Sequence, residues 1–248
     1  MLGDDLIQDE DMPRDRHVGR LVVAIDGPAG AGKSTVARRL AKELGYMYMD
    51  TGAMYRAFAW NVLQKGLDLS DEATLKKVLD DTKVNLIEKR GRLKVLLNGH
   101  DVTDKIRTPE LSQMASRVSA LKAVRERMVK IQREMGMQGG VVVEGRDIGT
   151  VVFPRADVKI FLDASPQERA RRRYLEFQAQ GKKVTLEQTL EEMIERDRRD
   201  KERKIAPLCK AEDALLIDST SLEADSVVHQ ILQEVKKNMV KIINRESS

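Results

Sequence analysis

Between a short apolar run and an amphipathic segment lies Gly27-Pro28-Ala29-Gly30-Ala31-Gly32-Lys33-Ser34, followed by Thr35. The spacing is GxxxxGK[ST], and its context is the one that the motif requires. The apolar run Leu21–Asp26 (LVVAID) reads as a strand buried on both faces. Lys33–Leu44 has helical spacing and ends at Gly45, a residue suited to a helix C-cap. Glycines let the backbone wrap closely enough for several N–H groups to face a phosphate, and the helix N-terminus adds its positive dipole end. Gly27 through Thr35 is therefore the candidate triphosphate site. Lys33 is placed to bridge the β- and γ-phosphates, and the Ser34 hydroxyl to ligate Mg²⁺. This loop says little about a second substrate.

The rest of the chain alternates. Tyr46–Asp50, Val141–Glu144, Val158–Leu162 and Leu215–Asp218 read as further strands, separated by helix-length segments. That pattern predicts an α/β fold, a mainly parallel, doubly wound sheet of five strands with right-handed crossovers and helices in outer layers. One stretch departs from it. Residues 83–102 (KVNLIEKRGRLKVLLNGHDV) show two strand-like runs around Arg90-Gly91 and a second turn signal at Asn98-Gly99. Adjacent antiparallel strands do not belong inside a parallel core. An inserted subdomain is therefore expected at 67–108, between core segments 21–66 and 109–248, with Pro109 opening a long helix that brings the chain back.

Composition limits the alternatives. The chain of 248 residues is 41% hydrophobic and 34% charged, which reads as soluble and globular. No run approaches the roughly 18 apolar residues of a membrane helix. Residues 1–20 are charged and lack the apolar core of a secretory signal, so they read as a disordered extension and the chain as cytoplasmic. Cys209 is the lone cysteine, and His17, His100 and His229 have no metal-ligand spacing. The net charge is +4, and basic residues crowd into 169–173 and 196–204, where the field attracts phosphate-bearing ligands. Nucleic acid also meets that description, but aromatics at 4% argue against a stacking platform for single strands.

Four clusters carry the remaining chemistry. Glu144 leaves an apolar strand, where a carboxylate supports Mg²⁺ through water or is simply solvated. Thr51 suits a helix N-cap, and Arg56 follows on the first helical turns, facing the cleft at the carboxyl ends of the strands. Arg146 and Asp147 follow Glu144 at that same cleft edge. In the segment 195–203, Arg196, Asp200 and Arg203 share a helical face at i, i+4 and i+7. They form either a solvated, salt-bridged helix or an arginine-rich lid over a transferred phosphoryl group.

Five motifs occur in order: DGPAGAGKST, DTGAMYR, EGRDIGTVVFPRADVKIFLDAS, ERDRRD and APL. Over nearly all of residues 21–239 the chain resembles the bacterial cytidylate kinases, P-loop nucleoside monophosphate kinases. The resemblance implies phosphoryl transfer from MgATP to CMP or dCMP, with the insert as an enlarged monophosphate-binding subdomain and a helical lid at about 168–206. It further implies that Ser116, Arg125 and Asp147 read cytosine, that Arg196 and Asp200 hold the ribose, and that Arg56, Arg146 and Arg203 grip the acceptor phosphate. Thr51, where serine is frequent, belongs to the same acceptor site. Arg172 and Arg173 would reach the ATP phosphates, though the run Arg171–Arg173 blurs which one does. Glu144 stands where aspartate is frequent. A monomer with no nucleic acid or membrane partner is the corresponding expectation. The rivals are a P-loop kinase for UMP or shikimate, and a GTPase or RNA-binding protein. The last two lack an NKxD motif and a module signature respectively.

Overall fold

A computed structural model describes residues 20–89 and 91–246. They form two compact units, one of residues 50–138 and one from the described parts of 18–49 and 139–248.

The second unit is built on a five-stranded sheet: β1 (Val22–Asp26), β2 (Met47–Asp50), β6 (Val141–Gly145), β7 (Val158–Asp163) and β8 (Leu215–Asp218). Their spatial order is β2-β6-β1-β7-β8, and β1 runs parallel to both β6 and β7. β1 and β6 are buried at every position, as continuous apolar runs in a parallel sheet must be. Each strand reaches an acidic residue at or next to its carboxyl end: Asp26, Asp50, Glu144, Asp163 and Asp218. The order reverses across β1, so the crevice that α/β sheets use for ligands opens beyond the carboxyl ends of β1 and β6. α1 (Lys33–Leu44) and α8 (Ala224–Glu246) pack on each other and on this sheet. α1 ends at Gly45 with φ of 66°, the left-handed C-cap that its sequence predicts. α6 (Pro166–Ala179) and α7 (Leu186–Glu202) pack together, and α7 starts with a Thr185/Gln188 capping box.

The first unit contains α2 (Thr51–Gln64), α3 (Glu72–Asp80), α4 (Pro109–Val118), α5 (Lys122–Gly136) and an antiparallel sheet β3-β4-β5. β3 (Val84–Lys89) and β4 (Arg92–Leu97) are the two predicted runs. β5 (His100–Asp101) adds a third strand after Asn98 and Gly99, both at positive φ, as a tight hairpin turn demands.

Several expectations need correction. The helix opened by Pro109 is not continuous. It stops at Val118, and α5 restarts after an extended Leu121. Thr51 is not an N-cap; Asp50 caps α2, its Oδ1 accepting the Ala53 N–H at 2.8 Å. Arg203 lies past the last turn of α7, with extended ψ of 137°. Strands β1 and β2 each begin one residue later than predicted, and β6 and β7 each end one residue later. Residues 1–19, Arg90 and residues 247–248 lie outside the described residues, and with them all but Arg20 of the expected disordered extension 1–20.

Candidate active site

Gly27 leaves β1 at φ of 145°, and a Cβ there would sit 1.9 Å from the Leu162 carbonyl oxygen. Only glycine fits. Gly30 and Gly32 follow at φ of 76° and 92°, and Gly32 is the N-cap of α1 without a side chain to cap it. The first N–H groups of α1 therefore point outward as an anion cradle. Inside it Lys33 is buried, its ammonium donating to the Pro28 carbonyl at 2.6 Å. Burial, and after it the charge of Arg146, bring Lys33 down to about 7; Arg196 adds to the fall, while Glu144 and Asp26 oppose it. The charges of Arg146, just after β6, and of Arg196, on α7, thus both act on the buried Lys33.

The cations are themselves held by acids. Arg146 Nε donates to Asp200 Oδ2 at 3.1 Å, and Arg196 Nε lies 3.9 Å from the same oxygen. Arg203 donates through Nε to the Ala206 carbonyl at 2.6 Å and through Nη2 to Asp147 Oδ1 at 3.4 Å. The Arg203 and Asp147 side chains are each only 6% exposed. The segment 195–203 has two distinct faces. Arg198 pairs with Glu195 and Glu202 on the exposed face, while Arg196, Asp197 and Asp200 face inward.

Arg172 is the member of its run that stands beside the phosphate loop. Its guanidinium donates to the Ser219 carbonyl at 2.6 Å and lies 3.8 Å from where a Gly32 Cβ would be. Ser219 in turn donates to the Ala31 carbonyl at 3.0 Å. Arg173 instead lies over the Phe177 ring, 4.4 Å from its centroid, and Arg171 pairs with Glu168. Glu144 is buried and accepts a short hydrogen bond from the Tyr48 hydroxyl.

In the first unit, Arg56 pairs with Asp50 at 3.1 Å, so one carboxylate both caps α2 and steers Arg56. The break between α4 and α5 brings Ser116 and Arg125 together. Ser119 Oγ donates to the Ser116 carbonyl at 2.9 Å, and Arg125 Nη1 donates to the Ser119 carbonyl at 3.2 Å. The buried Arg125 guanidinium also lies over the Tyr55 ring, at 5.9 Å.

Residues 23–237 match the family model described as cytidylate kinase. The chain belongs to the cytidylate kinase family. It is similar to the cytidylate kinase of Syntrophotalea carbinolica, 53% identical over 216 residues, or 87% of this chain and 92% of that one. The cytidylate kinase of Pelotomaculum thermopropionicum is 54% identical over 214 residues, 86% of this chain and 95% of its own. That of Bacillus subtilis is 51% identical over 218 residues, 88% and 97%.

For a cytidylate kinase family member, sequence reasoning missed five contributors: Asp26, Tyr48, Asp50, Arg169 and Asp197. Asp26 closes a buried apolar strand, the same signal that singled out Glu144, and was open to the same inference. The others show their roles only through burial and partners.

Proposed function

We propose that this protein transfers the γ-phosphoryl group of ATP to the 5′-phosphate of CMP or dCMP, giving the nucleoside diphosphate and ADP. The carrying observation is the buried Lys33 of the phosphate loop, on which the charges of Arg146 and Arg196 both act, so that a bound anion would favour its charged form. Membership of the cytidylate kinase family supports the choice of acceptor.

An acceptor phosphate oxygen forms the new bond to the γ-phosphorus as the bond to the β–γ bridging oxygen breaks. The attacking oxygen is already anionic, so no general base is required. Catalysis rests on in-line positioning and on charge stabilisation. In this reading Lys33 and the loop N–H groups hold the β- and γ-phosphates, with Arg172 beside them and Arg173 brought in as α6 and α7 close. Arg56, Arg146 and Arg203 take the acceptor phosphate, Arg196 and Asp200 the ribose, and Ser116, Arg125 and Asp147 the base.

The donor set fits magnesium. Ser34 and Glu144 offer hard oxygens, Glu144 is oriented by Tyr48, and no cluster of three or more His, Cys, Asp or Glu among the described residues forms an all-protein cage. Bound with ATP, the ion would neutralise phosphate charge as it develops. No helix among the described residues is long and apolar enough to cross a membrane.

ADP release measured against CMP, dCMP, UMP, AMP and shikimate tests the reading. CMP or dCMP should give the highest kcat/KM; preference for UMP or shikimate would overturn it.

A further inference from the structure

We propose that Arg169 is a positioning residue that ties α7 to the apex of the phosphate loop, so that filling one nucleotide site prepares the other. This rests on the reading that the loop takes ATP and that α7, through Arg196 and Asp200, takes the acceptor.

Arg169 is buried on α6, three residues past the Pro166 that opens the helix. Its Nε donates to the Ala164 carbonyl at 2.9 Å. Its Nη1 donates to the Ala29 carbonyl at 3.1 Å and to Asp197 Oδ2 at 2.5 Å. One planar guanidinium thus joins the segment after β7, the loop apex and α7. A lysine ammonium has no such fork.

Packing repeats the connection. A Cβ on Gly30 would lie 2.8 Å from the Arg169 carbonyl oxygen and 2.8 Å from Met193 Cε. Met193 and Asp197 are one turn apart on the buried face of α7. Arg196 and Asp200 stand three residues further on from each. The residues that touch the loop apex and those assigned to the acceptor are therefore carried by one helix of 17 residues. Any movement of the loop as phosphate enters is transmitted to Arg196 and Asp200 as displacement of a rod, not as independent side-chain motion.

A buried ion pair is weak evidence for a stabilising role, because desolvation offsets the attraction. What Arg169 contributes that an apolar pair does not is a fixed distance between the Ala29 carbonyl and α7. Coupling of this kind is reciprocal: ATP tightens CMP by the same factor as CMP tightens ATP.

The test measures CMP affinity by calorimetry, with and without an unreactive ATP analogue, for the wild-type protein and Arg169→Lys. The wild-type protein should bind CMP at least about fivefold more tightly when the analogue is present. In the variant that factor should fall below about twofold, while each ligand alone binds within about threefold of wild type. Its kcat should drop at least about tenfold with Tm shifted by only a few degrees. Asp197→Ala, which deletes the acceptor at the α7 end of the tie, is the second variant if Arg169→Lys does not fold, with the same expectation. A wild type without tightening, a folded variant that retains it, or a parallel fall in both separate affinities overturns the proposal. In the wild-type protein, hydrogen exchange of residues 193–200 should slow on adding the analogue alone, and unchanged exchange also overturns it. CMP turnover by the wild-type enzyme checks the functional reading separately.

Discussion

Asp26 Oδ1 accepts the backbone N–H of Ile148 at 2.7 Å, and its other oxygen accepts the N–H of Gly149 at the same distance. The residue that ends β1 therefore caps a single π-helical turn, Ile148–Val152, more than a hundred residues away. Asp147 occupies the N-cap position of that turn, yet its side chain makes no cap bond and faces Arg203 instead. An aspartate in that position ordinarily caps its own helix. Supplying the cap from β1 leaves Arg146 and Asp147 presented at the cleft on an anchored segment.

That anchoring has a measurable pH signature. Burial raises Asp26 to about 7 against the lowering effect of the two N–H donors. The folded protein thus holds a proton between about pH 4 and 7 that the unfolded chain releases. The contribution to stability is full below about pH 4 and is lost as pH rises through about 7, amounting to roughly 4 kcal/mol at most. Urea unfolding of wild type and Asp26→Asn between pH 4.5 and 8 should give a difference that shifts toward the variant as pH rises. A difference independent of pH would mean that Asp26 is already ionised in the folded protein.

Lys33, brought to about 7, is largely neutral at pH 8 while the site is empty. A triphosphate set against it favours the charged form. Binding of an unreactive ATP analogue should then take up close to one proton at pH 8 and almost none at pH 6. Calorimetry in two buffers of different ionisation heat reads this directly. Lys33→Met should abolish the uptake and lower kcat by about a hundredfold or more. Equal binding heats in both buffers at pH 8 would exclude the neutral lysine.

The Tyr48 hydroxyl donates to Glu144, and the Tyr48 ring packs under Arg38 at 5.9 Å. Phenylalanine keeps the ring and deletes the donor. Residues that orient a metal-supporting carboxylate typically cost about 10–100-fold in metal affinity when removed. Tyr48→Phe should raise the half-saturating Mg²⁺ concentration about tenfold while kcat recovers at excess Mg²⁺. A reduced kcat with unchanged Mg²⁺ dependence would remove Tyr48 from that role.

How much of this was legible in the chain depended on whether the deciding signal was local. The buried strands and α1 were readable because apolar runs, phosphate-loop glycines and the Gly45 cap all act within a few residues. The choice between Asp50 and Thr51 as cap was not, since both residue types cap helices and only the backbone at Asp50 decides. The break at Ser119–Leu121 was hidden because apolar spacing continues across it. Arg203 kept a helical spacing beyond the end of its helix for the same reason. The charges of α6 and α7 admit many pairings, and burial selects Arg169 with Asp197 while leaving Arg198 on the surface. The motif DGPAGAGKST included Asp26, but nothing nearby in the sequence shows that it caps a turn after Asp147.

Base choice gives the sharpest test of the acceptor site. Cytosine presents an N4 amino donor where uracil presents an O4 acceptor, and the polarity of N3 reverses with it. In the proposed reading the Asp147 carboxylate would accept from N4–H but would meet O4 as acceptor against acceptor. Arg125, assigned to the same base, can donate to the N3 and O2 acceptors of cytosine. Sites built to hydrogen-bond one edge reject the other strongly, since buried polar groups are left unpaired. CMP should therefore exceed UMP by at least about a hundredfold in kcat/KM. Asp147→Asn can turn its amide toward O4, so the gap should narrow, chiefly through a higher KM for CMP. The same change weakens the 3.4 Å contact to Arg203 Nη2, which would lower turnover of both substrates together without altering their ratio. Measuring CMP and UMP side by side on wild type and variant separates these effects. A variant slower on both at an unchanged ratio would leave Asp147 as a support for Arg203 and remove it from base reading.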